Sequence, residues 1–263
     1  MTGSALAAST RRQTPIVKAG YDLWLKRDDL FTVAGVRGGK ARTCLAIALQ
    51  ARDEGRGGLV TAGSRSSPQV EIVAYIARHL GLACRCHVPA GDATAQMKNA
   101  ARAGAEVVPH RPGHNSVIVA RAREDAKQLG WGHVPFGMEC QEAIEQTSGQ
   151  VLALPHRCTR IVVPVGSGMT LAGVLHGLQA LTRQPAVLGV VVGAKPDRRL
   201  DRWAPASWRF QCELVQAGVP YARHVRATLG GVRLDPIYEA KAVRHLQHGD
   251  MLWVVGHRGV NGE

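Results

Sequence analysis

No stretch of this 263-residue chain is apolar enough to cross a bilayer as a helix, which argues against an integral membrane protein. The first residues lack the charged-then-apolar order of a secretory signal, and Met1 to Thr14, small and free of acids, is expected to be a loose arm. Aromatic residues make up only 5%, which leaves few stacking platforms for bases. Cysteine is thin, with six residues and no Cys-x-x-Cys pair. Cys84 and Cys86 alternate along an expected strand, a poor geometry for a zinc knuckle, so no metal is expected. Reduced thiols fit a cytoplasmic protein, in the host cytoplasm if the chain is phage-encoded. Acids are scarce too, at 20 against 33 Lys and Arg, and the net charge is +13. That excess favours acidic partners, nucleic acid first. However, 26 of the 33 bases are Arg. Codon bias in a GC-rich genome gives the same excess, and no run of five basic residues occurs.

The 45% hydrophobic and 20% charged content fits a globular chain with a large core. Short β and α patterns alternate along it. Strands are expected at Tyr21 to Arg27, Gly58 to Ala62, Ala83 to Val88, Ala105 to Val108, Arg160 to Val165, Ala186 to Val192 and Met251 to Val255. Helices are expected at Ala41 to Ala51, Gln69 to Leu80, Ala93 to Ala103, Ser116 to Leu129, Gln141 to Leu154, Met169 to Leu181 and Asp235 to Gln247. The stretch from Asp197 to Ala227 shows no clear period. This order predicts an α/β fold of open, mostly parallel twisted sheets with helices on both faces. A small lobe, 41–129, is expected inside a larger lobe built from 1–40 and 130–263. Ligands in such folds bind beyond the carboxyl ends of strands.

Four segments carry chemistry. In the first, Gly38-Gly39-Lys40, two residues without Cβ let the backbone turn tightly ahead of a helix. A lysine at that helix start meets exposed N–H groups and a dipole that disfavours a cation. With partial burial, its amine is freed for Schiff-base chemistry. The second is a buried strand, then Gly166-Ser167-Gly168-Met169-Thr170 opening a helix. Its N–H groups and hydroxyls suit one phosphate group. It lacks both the Gly-Lys-Ser/Thr ending of triphosphate loops and the third glycine of dinucleotide loops. The third, Ser64-Arg65-Ser66-Ser67-Pro68-Gln69, offers hydroxyls and N–H groups for a carboxylate. Read alone, it is first an ordinary helix cap. The fourth, Asp235-Pro236-Ile237-Tyr238-Glu239-Ala240-Lys241, sets Glu239 beside Tyr238 near an expected helix start, where a carboxylate is also an ordinary dipole partner.

Taken in this order, the four segments resemble the fold-type II pyridoxal-phosphate enzymes, the tryptophan-synthase-β-like superfamily. The likeness is greatest to the branch of 1-aminocyclopropane-1-carboxylate deaminase and D-cysteine desulfhydrase. It runs from about Leu23 to Gly259. Lys26 to Asp29 and Gly38-Gly39-Lys40 match that branch's Lys-Arg-Glu/Asp-Asp and Gly-Gly-Asn-Lys. Gly256-His257-Arg258-Gly259 echoes its terminal His-Thr-Gly-Gly. The resemblance implies pyridoxal 5'-phosphate bound between the lobes, with Lys40 as the Schiff-base lysine and Gly166, Ser167, Gly168, Met169 and Thr170 at its phosphate. It also implies Glu239 at the pyridine nitrogen and Tyr238 as a second proton-transfer group. Ser64, Arg65, Ser66, Ser67 and Gln69 would face the substrate, with Ser67 also bordering the cofactor. Homodimers are common in the family.

The departures bear on substrate. Gly39 abuts Lys40 with no asparagine intervening, and Ser67 and Pro68 replace the family's Asn and Gln. Arg258 replaces a threonine, and the chain is trimmed around Phe136 to Glu139. The resemblance implies a lyase acting at the amino-bearing carbon of an amino acid by elimination, deamination or decarboxylation. A small free amino acid is one substrate class. An amino acid tethered to nucleic acid, such as a hypermodified base of phage DNA, is the alternative that uses the basic surface. A noncatalytic binding protein that retains the fold is the third reading.

Overall fold

A computed structural model describes residues 8–111, 114–152 and 154–256. The terminal echo at His257 to Gly259, the Arg258 replacement and the first seven residues of the arm lie outside the described residues. Fourteen strands are assigned among them: β1 (Ile16–Gly20), β2 (Leu23–Arg27), β3 (Thr32–Val33), β4 (Val36–Arg37), β5 (Gly58–Ala62), β6 (Ala83–Pro89), β7 (Glu106–His110), β8 (Gly132–Val134), β9 (Arg160–Val165), β10 (Ala186–Val191), β11 (Cys212–Gln216), β12 (Thr228–Leu229), β13 (Val232–Arg233) and β14 (Asp250–Val254). The chain divides into two compact units, one centred on Thr32–Glu142 and one made of Arg11–Phe31 with the chain from Ala143 on. The first is wider than the expected 41–129 and takes in Lys40. The β3–β4 hairpin packs on its helices, and β8 pairs with β5 in its sheet.

The unit Thr32–Glu142 holds a four-stranded sheet in the order β7-β6-β5-β8, parallel throughout. Its strands are short, with valine the commonest residue, and β5 is buried along its whole length, as a central parallel strand must be. Val60 and Ala62 pack on Ile118, Ala122 and Ala126 of the helix Asn115–Leu129. At Gly58 a Cβ would lie 2.5 Å from the Trp131 ring, so that position takes glycine to admit the indole.

A polar chain crosses the outer part of this unit. Arg121 Nη1 lies 2.8 Å from His110 Nδ1, and His110 Nε2 lies 2.7 Å from His87 Nδ1. His87 Nε2 lies 2.8 Å from Asp125 Oδ2, and Arg85 donates to the other Asp125 oxygen at 2.8 Å. A guanidinium only donates, so His110 Nδ1 accepts and its Nε2 carries the proton. That proton is donated to His87 Nδ1, which leaves His87 Nε2–H for Asp125. Every bond is satisfied with both rings neutral.

The other unit holds a six-stranded sheet in the order β1-β2-β14-β9-β10-β11. All its pairs are parallel except β1 with β2. Leu25, Val162, Leu188, Val190, Leu252 and Val254 form its core with Leu234, Ile237 and Ala240. The unperiodic stretch resolves into short helices Asp197–Trp203 and Trp208–Gln211 followed by β11.

Three expectations are corrected here. The end of the arm is anchored: Gln150 accepts from Thr14 N and Oγ1 at 3.0 and 3.1 Å and donates to Arg12 O at 3.1 Å, and β1 follows directly. The helix from Gln141 ends at Ser148, because Gln150 turns inward to make those bonds. The long helix over Asp235 to Gln247 shrinks to Glu239–Ala242 and a 3-10 turn, Val243–His245. Asp235 Oδ1 accepts from Ile237 N and Tyr238 N at 2.9 and 3.0 Å, which stabilises a turn where the helix was expected. Among the described residues no helix is long and apolar enough to cross a membrane.

Candidate active site

In the unit Thr32–Glu142, the β3–β4 hairpin turns through Ala34 and Gly35, both with positive φ (52° and 82°). It delivers the chain to Gly38, whose φ of 96° and ψ of 175° suit only glycine. The helix Gly39–Asp53 starts there, with Ala41 N and Arg42 N donating to Gly38 O at 3.0 and 3.2 Å. Lys40 is the second residue of that helix and is half-buried, the position the sequence predicts.

Beyond β5, Gly63 N donates to His87 O at 3.0 Å, and Ser67 N closes a turn on Ser64 O at 2.9 Å. Ser67 caps the helix Pro68–His79 by accepting from Gln69 N, and Pro68 takes the first helical position, where its missing N–H costs nothing. Ser66 is exposed, and Ser64 and Ser67 are half-buried. Two members of the expected substrate set are engaged elsewhere. Gln69 is buried; its amide donates to Thr61 Oγ1 and Pro135 O at 2.9 and 2.8 Å and accepts from Gly137 N at 2.9 Å. That side chain clamps β5 to the turn after β8 and has no group left for a ligand. Arg65 donates to Asp92 O at 3.2 Å and lies over Gly91, while its own carbonyl accepts from Thr94 Oγ1.

In the other unit, β9 runs into Gly166-Ser167-Gly168 and the helix Met169–Gln179. Gly168 has φ 91°, and a Cβ at Gly166 would sit 2.8 Å from Cε1 of Tyr238. The Tyr238 ring therefore rests on the loop's backbone. Gly166, Ser167 and Thr170 are half-exposed, whereas the Met169 side chain is buried and leaves only its N–H to a ligand. The first N–H groups of this helix have no intrahelical acceptor and attract an anion.

Glu239 is 1% exposed, next to the carboxyl end of β14. Its Oε1 accepts from Val255 N at 2.8 Å, and its Oε2 is buried with no hydrogen-bond partner. Burial pushes this carboxyl up to about 8, with the Asp235 charge adding to the rise and the backbone at Val255 and Gly256 opposing it. The carboxyl thus retains its proton near neutral pH, with one oxygen unsatisfied.

Sequence reasoning missed a clamp beside Tyr238. Lys241 is 1% exposed, and its Nζ donates to Pro220 O and Tyr221 O at 2.8 and 2.9 Å. Tyr221 lies edge-on to Tyr238, ring centroids 6.1 Å apart, with hydroxyls at 3.3 Å. Tyr221 falls in the stretch without period. A tyrosine 17 residues before another carries no local signal.

One unit carries a lysine on a Gly-Gly turn, and the other carries a glycine loop at a helix start and a buried carboxyl with one oxygen unpartnered. The chain belongs to the pyridoxal-phosphate dependent enzyme family, whose model matches residues 8–235. It is 26% identical to a 1-aminocyclopropane-1-carboxylate deaminase of Burkholderia vietnamiensis, over 84% of this chain and 79% of the relative. It is 29% identical to a D-cysteine desulfhydrase of Yersinia enterocolitica, over 88% and 81%. The fold matches the crystal structure of an ACC deaminase homologue with TM-score 0.78 and 21% identity, covering 98% of this chain and 95% of that one. It also matches a threonine deaminase of Solanum lycopersicum with TM-score 0.67 and 13% identity, covering 98% and 90%. The residues present fit the cofactor. The unpartnered oxygen of Glu239 is the kind of group that pairs with a basic ring nitrogen, and a Cβ at Gly166 would collide with the Tyr238 ring that lies against the loop.

Proposed function

We propose that this protein is a lyase acting at the amino-bearing carbon of a small amino acid. The observation that carries the reading is the Glu239 carboxyl, kept protonated by burial with one oxygen unengaged. A buried polar atom left without a partner costs roughly 1–3 kcal/mol, which a ring nitrogen placed there removes. Pyridoxal phosphate, when bound, withdraws electrons from a bond breaking at the amino-bearing carbon.

The chain's own residues do the rest. Lys40 holds the cofactor through its amine, which the helix N-terminus discourages from becoming an ammonium. The same amine would serve to move a proton at the substrate's amino-bearing carbon. Tyr238 is the second proton carrier, its hydroxyl 3.3 Å from that of Tyr221. Glu239 holds a proton at the ring nitrogen. The Gly166 to Thr170 N–H groups and hydroxyls take the phosphate, and Ser64, Ser66 and Ser67 take the substrate carboxylate. Gln69 and Arg65 are left out of this set because their side chains are engaged elsewhere. The names of the relatives favour a free amino acid over one tethered to nucleic acid, and 1-aminocyclopropane-1-carboxylate and D-cysteine are the first substrates to try. The reading includes a cytoplasmic homodimer, which light scattering of the purified protein tests for its oligomeric part.

The test is the visible spectrum of the purified protein with added pyridoxal phosphate, before and after borohydride, for wild type and Lys40→Ala. A yellow species trapped by borohydride in wild type alone is expected. Absence of any trapped cofactor in folded wild type refutes the proposal and leaves a noncatalytic binding protein.

A further inference from the structure

We propose that Lys241 is a positioning residue, a buried ammonium that fixes Tyr221 against Tyr238 and so sets the direction of the Tyr238 hydroxyl proton. The inference rests on the role given above to Tyr238. Lys241 follows Tyr238 by three residues, and its N–H donates to Tyr238 O at 3.1 Å, so the two are held in one turn. Its Nζ reaches back 20 residues to the carbonyls of Pro220 and Tyr221, at 2.8 and 2.9 Å. Two bonds to consecutive carbonyls fix the path of this loop segment. The same Nζ lies 5.8 Å from the centre of the Tyr221 ring, on which it exerts a cation–π attraction. The ring so held is 76° to that of Tyr238, with hydroxyls 3.3 Å apart. Tyr238 in turn rests on Gly166 of the glycine loop. A buried cation that close also favours a negative charge on the Tyr221 phenol, which shares its proton with Tyr238 across the hydroxyl contact.

The chain has four tyrosines, Tyr21, Tyr75, Tyr221 and Tyr238, so their ionisation is resolvable by ultraviolet difference absorbance. The titration is run on the cofactor-loaded protein as wild type, Lys241→Met, Lys241→Arg, Tyr221→Phe and Tyr238→Phe. The two Phe variants assign the step belonging to the pair. That step is expected to move up by about one pH unit in Lys241→Met, the scale of a nearby unit charge after screening, and to return towards wild type in Lys241→Arg. An unmoved step overturns the proposal. The second arm is a double-mutant cycle read with D-cysteine as substrate. Lys241→Met and Tyr221→Phe are each expected to lower kcat about tenfold with KM little changed, and the double variant is expected to be no worse than Lys241→Met alone. Losses that simply add, or a Tyr221→Phe variant with wild-type kcat, overturn it. If Lys241→Met fails to fold, Lys241→Gln takes its place in both arms, and a Tyr221→Phe variant with wild-type kcat still overturns the proposal. If D-cysteine does not react, the lyase reading is in question while the tyrosine titration still reads Lys241.

Discussion

Replacing Glu239 with glutamine should remove a loss of stability with rising pH from the cofactor-free protein. The carboxyl sits at about 8 in the folded chain, against 4.5 for its ordinary value. Between those two values the unfolded chain ionises while the folded one retains its proton, so wild type binds more protons when folded. The contribution of this carboxyl to stability is then greatest below pH 4.5 and falls as pH rises towards 8. Integrating that one-proton difference from pH 5 to pH 8 gives a loss of about 3.5 kcal/mol. Glutamine has the same shape, can accept from Val255 N as Oε1 does, and carries no titrating proton. Urea denaturation of both proteins without cofactor, at pH 5, 6, 7 and 8, measures the difference. The gap between Glu239→Gln and wild type should widen in favour of the variant by that amount as pH rises, and other titrating groups cancel in the comparison. With pyridoxal phosphate added the order should invert, because only the carboxyl can share a proton with the ring nitrogen. Curves that stay parallel within about 1 kcal/mol across the range would sink the argument.

Two further outcomes follow from the unit that carries Lys40. Gln69→Leu removes the amide's three bonds, to Pro135 O, Gly137 N and Thr61 Oγ1, although the Thr61 hydroxyl still donates to Val134 O, and should cost about 2 kcal/mol of stability, read by chemical denaturation; a loss under 1 kcal/mol would mean water replaces the amide. The His87–His110 chain should make this unit acid-sensitive. His110 is shifted down by burial first, then by His87 and Arg121, although Asp125 pulls the other way. Arg85 and Glu106 on the strands, Arg123 on the helix and His133 on β8 complete the charged surroundings. A depressed folded value means that stability is present above the ordinary histidine value and lost as pH falls through the folded one. Any added proton must break the Arg121 contact, whichever ring takes it. His110→Gln should therefore flatten the stability profile between pH 5 and pH 7, and an unchanged slope would show that the chain does not titrate as drawn.

Much of the architecture could be read from the residues because parallel strands buried on both faces write themselves as apolar runs. Gly58 to Ala62 and Arg160 to Val165 fall where the runs place them. The Gly-Gly-Lys turn and the glycine loop were equally visible, since local backbone demands select glycine. What failed depends on partners far along the chain. β1 is five residues long and went unread beside an acid-free arm. Gln69 reads as a helix-start residue that would face the substrate, yet its amide bonds reach Pro135 and Gly137. The stretch after Asp235 has helical composition, but the Asp235 carboxylate spends itself on Ile237 N and Tyr238 N, and Glu239 turns inward to Val255 N. Helical period cannot register an inward carboxylate held by a neighbouring strand.

The position of β14 fixes the order in which the larger sheet can close. β2 and β9 touch no common strand except β14, which pairs with both and lies more than two hundred residues beyond β2. On a ribosome, the sheet of the unit Thr32–Glu142 has all its strands long before Asp250 emerges. Until then the apolar edges of β2 and β9 wait unpaired, a period of exposure that chain order alone imposes. A nascent chain stopped short of Asp250 would present two open edges where the finished protein has a seam.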